Sequence, residues 1–125
     1  MKEGYQDMLD HCFELSQEML VMDGEFHPFG AFLGEAGRVQ HLGVELEPKN
    51  MPSNGEIVNR LIKLAKEEGL ENFALCFEVS IQLEADSPAS DAICVEITDP
   101  ETPKFYQTYS KSADEINFGE IFAVR

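Results

Sequence analysis

The amino-terminal segment places apolar residues three and four positions apart, the spacing that gathers them on one face of a helix. This pattern predicts a first helix over residues 2–22. Gly24 follows directly, and because glycine tolerates a positive φ it is expected to end the helix. The apolar stripe comprises Tyr5, Met8, Leu9, Cys12, Leu15, Met19 and Leu20.

An aromatic segment with Phe26, Phe29 and Phe32 follows the first helix. Three closely spaced phenylalanines make an unfavourable exposed surface, so burial under the helix is a better interpretation than an exposed anchor for another protein. We expect an extended arm that leads into a short strand. Residues 35–37 then form a turn, and residues 38–44 return as the second strand of a hairpin.

A second helix is predicted after a loop over residues 45–52, where two prolines disfavour regular structure. Ser53 and Glu56 have the capping-box spacing, in which each side chain satisfies a free amide of the first turn. Gly69 supplies the left-handed end. The buried face of this helix is expected to contain Ile57, Val58, Leu61, Ile62, Leu64 and Ala65.

The clearest strand begins at Phe73, where apolar and more polar residues alternate strictly as far as Glu84. A loop over residues 85–90 separates it from a second alternating segment with Ile93, Val95 and Ile97, which predicts a hairpin. Residues 104–110 and 116–124 predict two further strands. In the last of them, Phe118, Phe122 and Val124 are expected on one face, opposite Ile121 and Ala123.

The predicted order α-ββ-α-ββββ indicates an α+β fold in one domain spanning residues 1–125. Short turns favour an antiparallel sheet of about five or six strands, and two helices that each have one apolar stripe are expected to cover one face of it. The result is a two-layer sandwich. The other face would then carry mixed residues that suit water or a partner, namely Cys76, Glu78, Ser80, Gln82, Cys94 and Glu96.

Charge narrows the classes of partner. The chain has 24 acidic and 9 basic residues and a formal net charge of −15. Such a charge repels nucleic-acid phosphates and anionic lipid, so binding to nucleic acid or to a membrane is disfavoured, whereas encounter with a basic protein is accelerated. The apolar runs are too short to cross a bilayer and the amino terminus does not read as a secretory signal, so we expect a soluble cytoplasmic protein.

The cysteines and histidines show no ligand spacing typical of a metal site. Cys12, Cys76 and Cys94 lie in periodic segments without a C-x-x-C pair, which favours reduced and partly buried thiols. His11 follows the helical period next to Cys12, so the two side chains point about 100° apart. No metal is therefore expected, and the absence of a glycine-rich phosphate loop gives no support to a nucleotide cofactor.

One pair of carboxylates has the residue types of general acid–base catalysis. If the two apolar sets of the central hairpin share a face, Glu78 lies opposite Glu96, and each charge raises the pKa of the other. On an open, hydrated face such a pair is better explained by screening. We therefore assign Glu78, Ser80, Gln82 and Glu96 to partner binding rather than to catalysis.

A motif in the first hairpin resembles a family. The stretch Gly24-Glu25-Phe26-His27-Pro28-Phe29-Gly30, with Gly37 further on, the helix over residues 53–69, the Phe73 hairpin and the closing Phe118-Gly119-Glu120 resemble a group of small uncharacterised bacterial proteins with an F-x-P-F-G hairpin. The architecture is also similar to that of immunity proteins, which neutralise toxins by binding them. This resemblance implies no catalytic residue.

Three hypotheses follow. The first is a non-enzymatic, immunity-like module whose acidic surface binds a basic protein. The second is a self-associating structural homodimer, which salt would weaken less than it weakens a charge-steered complex. The third is a small hydrolase or metal-assisted enzyme that uses Glu78 and Glu96.

Overall fold

A computed structural model describes residues 1–125 as two helices and one six-stranded sheet. Every pair of neighbouring strands is antiparallel, and the strand order is β2-β1-β3-β4-β5-β6. The predicted α+β class and the order α-ββ-α-ββββ are confirmed. The elements are α1 Tyr5–Asp23, β1 Phe29–Leu33, β2 Val39–Leu42, α2 Asn54–Glu67, β3 Phe73–Ile81, β4 Ser90–Ile97, β5 Lys104–Ser112 and β6 Glu115–Val124.

Helix α2 begins, and both helices end, where local chemistry predicts, whereas α1 begins at Tyr5 and not at residue 2. Gly24 adopts φ 76° at the end of α1 and donates its backbone N–H to the carbonyl of Leu20 at 2.9 Å. At the start of α2, the Ser53 hydroxyl accepts a hydrogen bond from the backbone N–H of Glu56 at 3.2 Å. Gly69 follows α2 with φ 71°. These caps satisfy amides and carbonyls that a helix end leaves free.

The two helices cover opposite faces of the sheet, which corrects the prediction that both lie on one face. Ala74 and Cys76 of β3 belong to the apolar cluster under α1. Phe73 and Leu75 of the same strand belong to the cluster under α2. Because successive strand residues point to opposite faces, β3 separates the two clusters. The sheet is therefore the middle layer between the helices.

The misplacement has a physical reason in the small residues of the central strands. Ala74 and Cys76 are completely buried, as are Ala92 and Ile93 of β4. In these strands small apolar side chains alternate with large ones. The alternation in size looks like the apolar–polar alternation of a strand with one buried face, although both faces are buried. The alternation therefore predicts the strands correctly but not the number of covered faces.

The aromatic arm is divided by the same sheet. Phe26 and Phe29 are buried under α1, as predicted. Phe32 is partly buried in the α2 cluster on the other side of the sheet.

Neither α1 nor α2 combines the length and the apolar character that crossing a membrane requires. All three cysteines are free thiols as predicted, but they are fully rather than partly buried. Cys76 lies under α1 and Cys94 points to the other side of the sheet, so the prediction that both lie on one face open to water is wrong.

The pairing of Glu78 with Glu96 is wrong. In the β3–β4 ladder, Glu78 lies opposite Ile93, whereas Glu96 lies opposite Leu75. A register shift of one residue moves a whole side-chain set to the other face. The two carboxylates consequently lie on opposite faces of the sheet and cannot act as one catalytic pair.

Candidate protein-binding face

One part of the sheet has no helix over it. Helix α2 packs on β1 and β3, so the same side of β4, β5 and β6 lies beyond it. We call this surface the open face. A single cross-strand row defines its centre, and the flanking side chains Glu96, Thr108 and Val124 complete it. The row runs through Phe77, Cys94, Tyr106 and Phe122.

Two stacked aromatic rings dominate the open face. Tyr106 and Phe122 are direct cross-strand partners, and their ring centroids lie 5.7 Å apart with an interplanar angle of 24°. Both side chains are half-buried, as is Phe77 at the other end of the row. Val124 beside them is 47% exposed. Cross-strand aromatic pairs stabilise a sheet, but part of this apolar area still faces solvent.

The thiol in the middle of the row is chemically quiet. Cys94 is only 2% exposed. Burial, together with the negative charge of Glu96, raises the pKa of its thiol to about 11. Since the thiolate is the reactive form, Cys94 is a buried packing residue at neutral pH and not a nucleophile. Burial also raises the pKa of Tyr106, which stays a neutral phenol.

A polar cleft of about 540 Å³ adjoins the open face at the β4–β5 turn. Glu96 and Tyr106 form its boundary with the open face, and Glu101 lies on the turn itself. Asp99 also lines the cleft, but its carboxylate accepts a hydrogen bond from the Tyr5 hydroxyl at 2.9 Å. Glu96 and Glu101 are therefore the cleft carboxylates without a hydrogen bond or ion pair to another side chain.

The opposite end of the open face is bordered by acidic loops. Glu84 and Asp86 are exposed between β3 and β4, while Asp114 and Glu115 are exposed at the β5–β6 turn. Antiparallel pairing brings these two connections to the same end of the sheet. The open face thus has an apolar centre, an acidic border at this end and a border of mixed charge at the cleft, where Lys104 and Arg125 accompany Glu96 and Glu101.

The four residues predicted for partner binding do not form one site. Only Glu96 lies on the open face. Glu78 is on the α1 side, where its carboxylate accepts a hydrogen bond from the Tyr109 hydroxyl. That contact and burial both raise the pKa of Tyr109, with burial the larger cause. Ser80 follows on the same side of β3 and is exposed.

Gln82 has a local structural role. Its side-chain amide donates hydrogen bonds to the backbone carbonyls of Ala85 at 2.8 Å and Ser87 at 2.7 Å. These bonds close the loop between β3 and β4. Gln82 is therefore part of the border of the open face rather than of its apolar centre.

Sequence reasoning missed Tyr106 and Phe122 because of a bulge in β6. Phe118 pairs with Tyr109 and Ile121 with Gln107, so two residues of β6 lie opposite one of β5. The extra residue sends Phe118 to the α1 side and Phe122 to the open face, contrary to the prediction that they share a face. A glycine inside a strand is the available signal, and Gly119 lies at this bulge.

Comparison of the chain with protein-family models, curated proteins and solved structures finds no significant match. The likeness to F-x-P-F-G bacterial proteins and to immunity proteins stays a prediction. The geometry of the open face is the basis on which function is argued below.

Proposed function

We propose that the protein is a non-enzymatic, immunity-like binding module whose open face holds a basic protein partner. The observation that carries this proposal is the stacked pair of Tyr106 and Phe122, which stays partly accessible beside the exposed Val124 on a part of the sheet with no helix above it. Monomeric proteins rarely leave contiguous aromatic surface in water unless it binds something. Aromatic side chains are also enriched among the residues that dominate binding energy.

The aromatic pair is suited to be an anchor because it is rigid before binding. Tyr106 and Phe122 are held on adjacent strands, and each limits the rotation of the other by stacking. Little side-chain entropy is then lost when a partner covers them. The Tyr106 hydroxyl supplies a polar group at the edge of the apolar centre, next to Glu96 in the cleft.

Charge favours a basic protein over the other classes of partner. A net charge of −15 repels nucleic-acid phosphates, and it also repels a second copy of the same chain. The exposed carboxylates of the β3–β4 and β5–β6 connections, at one end of the open face, would instead pair with Lys or Arg around an apolar patch of the partner. Such complementarity mainly accelerates association and selects the partner.

A homodimer formed by pairing the edge strands of two sheets has less support than a complex with a basic protein. Strand β6 is an edge of the sheet, and its bulge beside Gly119 interrupts the ladder that another copy would extend. The repulsion between two acidic chains acts in the same direction. We therefore propose a hetero-complex and treat self-association as the competing outcome of the test.

The F-x-P-F-G motif supports the proposal indirectly. Phe26, Pro28, Phe29 and Gly30 are all buried, so the motif builds the core and does not form the binding face. A shared core with a variable binding surface is compatible with immunity-like proteins, whose targets differ. The three free thiols further support a reducing compartment such as the bacterial cytoplasm.

Site-specific photo-crosslinking in the native host or lysate tests the proposal. A photoreactive residue replaces Thr108 on the open face in one variant and the exposed Glu14 of α1 in a matched control. We expect crosslinks to a basic protein from position 108 only, reduced by high salt and by Phe122→Ser. Crosslinks to a second copy from position 108 would instead establish the homodimer. Equal crosslinking from both positions, or insensitivity to Phe122→Ser, would refute the open face as the binding surface.

A further inference from the structure

Two histidines that are 30 residues apart in the chain face each other across the α1 side of the sheet. His11 lies on α1 and His41 on β2, and the Nε2 atom of His11 is 3.4 Å from the Nδ1 atom of His41. The ring centroids are 5.6 Å apart. This pair is remote from the open face, so whatever it binds is a second property of the molecule.

The orientation of both rings is set by their surroundings. Phe29 stacks on His41 with a centroid distance of 5.4 Å and meets His11 edge-on at 6.4 Å. On its other edge, the His41 ring lies against the chain, since a Cβ added to Gly43 would be only 3.1 Å from Nε2. The free edge of His41, with Nδ1, is therefore turned toward His11.

The separation of the two nitrogens fits a shared metal ion better than a hydrogen bond. Good N–H···N or N–H···O hydrogen bonds have heavy-atom distances of about 2.7–3.2 Å, shorter than the 3.4 Å observed. Two imidazole nitrogens at about 2.0–2.1 Å from one tetrahedral ion lie about 3.3 Å apart. The pair is thus already spaced for bidentate ligation without movement of α1 against β2.

We propose that His11 and His41 together bind one divalent transition-metal ion of the zinc and copper class, through Nε2 of His11 and Nδ1 of His41. Imidazole nitrogen suits these borderline ions, whereas hard ions such as Mg²⁺ prefer oxygen. No group of three or more His, Cys, Asp or Glu side chains in the structure could hold a metal ion. The protein therefore supplies two ligands, and water completes the coordination.

Access from solvent favours this assignment. His41 is exposed and His11 half-buried, so an ion can reach the pair from solvent. A cavity of about 250 Å³, lined in part by His41 and His27, adjoins it and leaves room for water ligands.

The ion would link the first helix to an edge strand. Helix α1 and strand β2 have few other contacts, and β2 pairs only with β1. A ligand that binds the folded chain and not the unfolded one raises the unfolding midpoint. Metal binding is therefore expected to raise thermal stability in a manner that depends on both histidines.

A zinc titration of the full chain, in competition with a chromophoric chelator, tests the proposal. We expect one Zn²⁺ per chain, with binding weakened by more than about 100-fold in His11→Gln and in His41→Gln, since loss of even an indirect partner of a ligand costs 10–100-fold. Glu67→Gln, at an exposed carboxylate of α2 on the other side of the sheet, is the control and is expected to keep wild-type affinity. Excess Mg²⁺ should not compete, which separates the pair from ion binding by the acidic surface.

Nitrogen-15 NMR of the imidazole rings identifies the coordinating atoms. On addition of Zn²⁺ we expect the His11 Nε2 and His41 Nδ1 resonances to shift together, while those of His27 stay in place. The unfolding midpoint should rise with Zn²⁺ in the wild-type protein and stay constant in His41→Gln. Absence of zinc uptake at submillimolar concentration, or equal affinity in all three variants, would overturn the assignment.

Discussion

Tyr5 donates a hydrogen bond from its hydroxyl to the carboxylate of Asp99 at 2.9 Å, which connects the start of α1 to the β4–β5 turn 94 residues later. Lys2 adds an ion pair to the same carboxylate at 3.2 Å. The backbone N–H of Glu101 also donates to Asp99, at 3.0 Å. Asp99 thereby joins the amino-terminal segment to the β4–β5 turn.

These contacts make the stability of the fold depend on pH. The N–H of Glu101, followed by the Tyr5 hydroxyl and Lys2, holds the pKa of Asp99 below its ordinary value of 3.8. A carboxylate whose pKa is lower in the folded state stabilises the protein above its unfolded pKa, and that contribution is lost as the pH falls through the folded pKa. Asp99→Asn should therefore be less stable than wild type at neutral pH.

Urea unfolding of both proteins at a series of pH values measures this difference. We expect it to be constant above pH 3.8 and to shrink as the pH falls below that value. Tyr5→Phe, which removes one donor only, should show a smaller loss in the same pH window. A difference between Asp99→Asn and wild type that persists unchanged into strong acid would contradict the assigned role.

The glycine of the F-x-P-F-G motif, Gly30, is required because two strands approach each other closely at this position. A Cβ on Gly30 would lie 2.3 Å from the backbone carbonyl oxygen of Ala74 on β3. Because the obstacle is backbone, Gly30→Ala is expected to lower the free energy of unfolding by about 1–3 kcal/mol or more. Gly55 in α2 has nothing within 4 Å, so Gly55→Ala should raise it by about 0.4–1 kcal/mol. Chemical denaturation of the two variants compares these opposite signs directly.

The thiols provide a test of burial. Cys12, Cys76 and Cys94 are almost inaccessible. With a pKa of about 11, Cys94 is only about one-thousandth thiolate at pH 8. Burial also raises the pKa of Cys76. Ellman's reagent should therefore label no thiol of the folded chain in the time that labels all three in concentrated guanidinium chloride. Rapid labelling of one native thiol would show that its surroundings are open.

The two apolar clusters on opposite faces of the sheet should behave independently. Ile93 is completely buried on the α1 side and Ile57 under α2. Each Ile→Val substitution is expected to cost about 0.5–1.5 kcal/mol of unfolding free energy. The double variant should lose the sum to within about 0.5 kcal/mol, because the sites share no partner. Ile57→Val combined with Leu61→Ala, within one cluster, is the comparison in which coupling is expected.

The contribution of the open face to binding affinity can be measured once the crosslinked partner is purified. Phe122→Ser should weaken binding by about 2 kcal/mol or more, or roughly 30-fold, as loss of an interface anchor does. Val21→Ser is the matched control, since Val21 is an apolar residue of α1 that is 65% exposed and lies away from the open face. Calorimetric titration at low and high salt measures both effects. Equal affinity of the two variants would remove Phe122 from the interface.

Local signals in the sequence predicted the elements well. The periodicity of α1, the capping residue Ser53 and the glycines at positions 24 and 69 act within a few residues, so they can be read without the fold. The side on which each helix packs depends on contacts between distant segments. Ala74 and Cys76 resemble the exposed positions of a one-sided strand, although α1 covers them.

The candidate sites were harder to predict because each depends on register. Glu96 was identified, but its position relative to Glu78 follows from a one-residue alignment that the hairpin loop does not determine. Tyr106 and Phe122 become neighbours only through the bulge in β6. The approach of His11 to His41 depends on the docking of α1 against an edge strand, and no spacing along the chain indicates it.

The position of β3 between the two helices has a consequence for protein synthesis. Both apolar clusters need side chains of β3, yet α1, the first hairpin and α2 are all made before residue 73 leaves the ribosome. Until then each helix can pack only on the first hairpin, which covers part of its apolar stripe. Both clusters are completed only when the central strands emerge, a delay in which a chaperone would find two partly exposed apolar stripes.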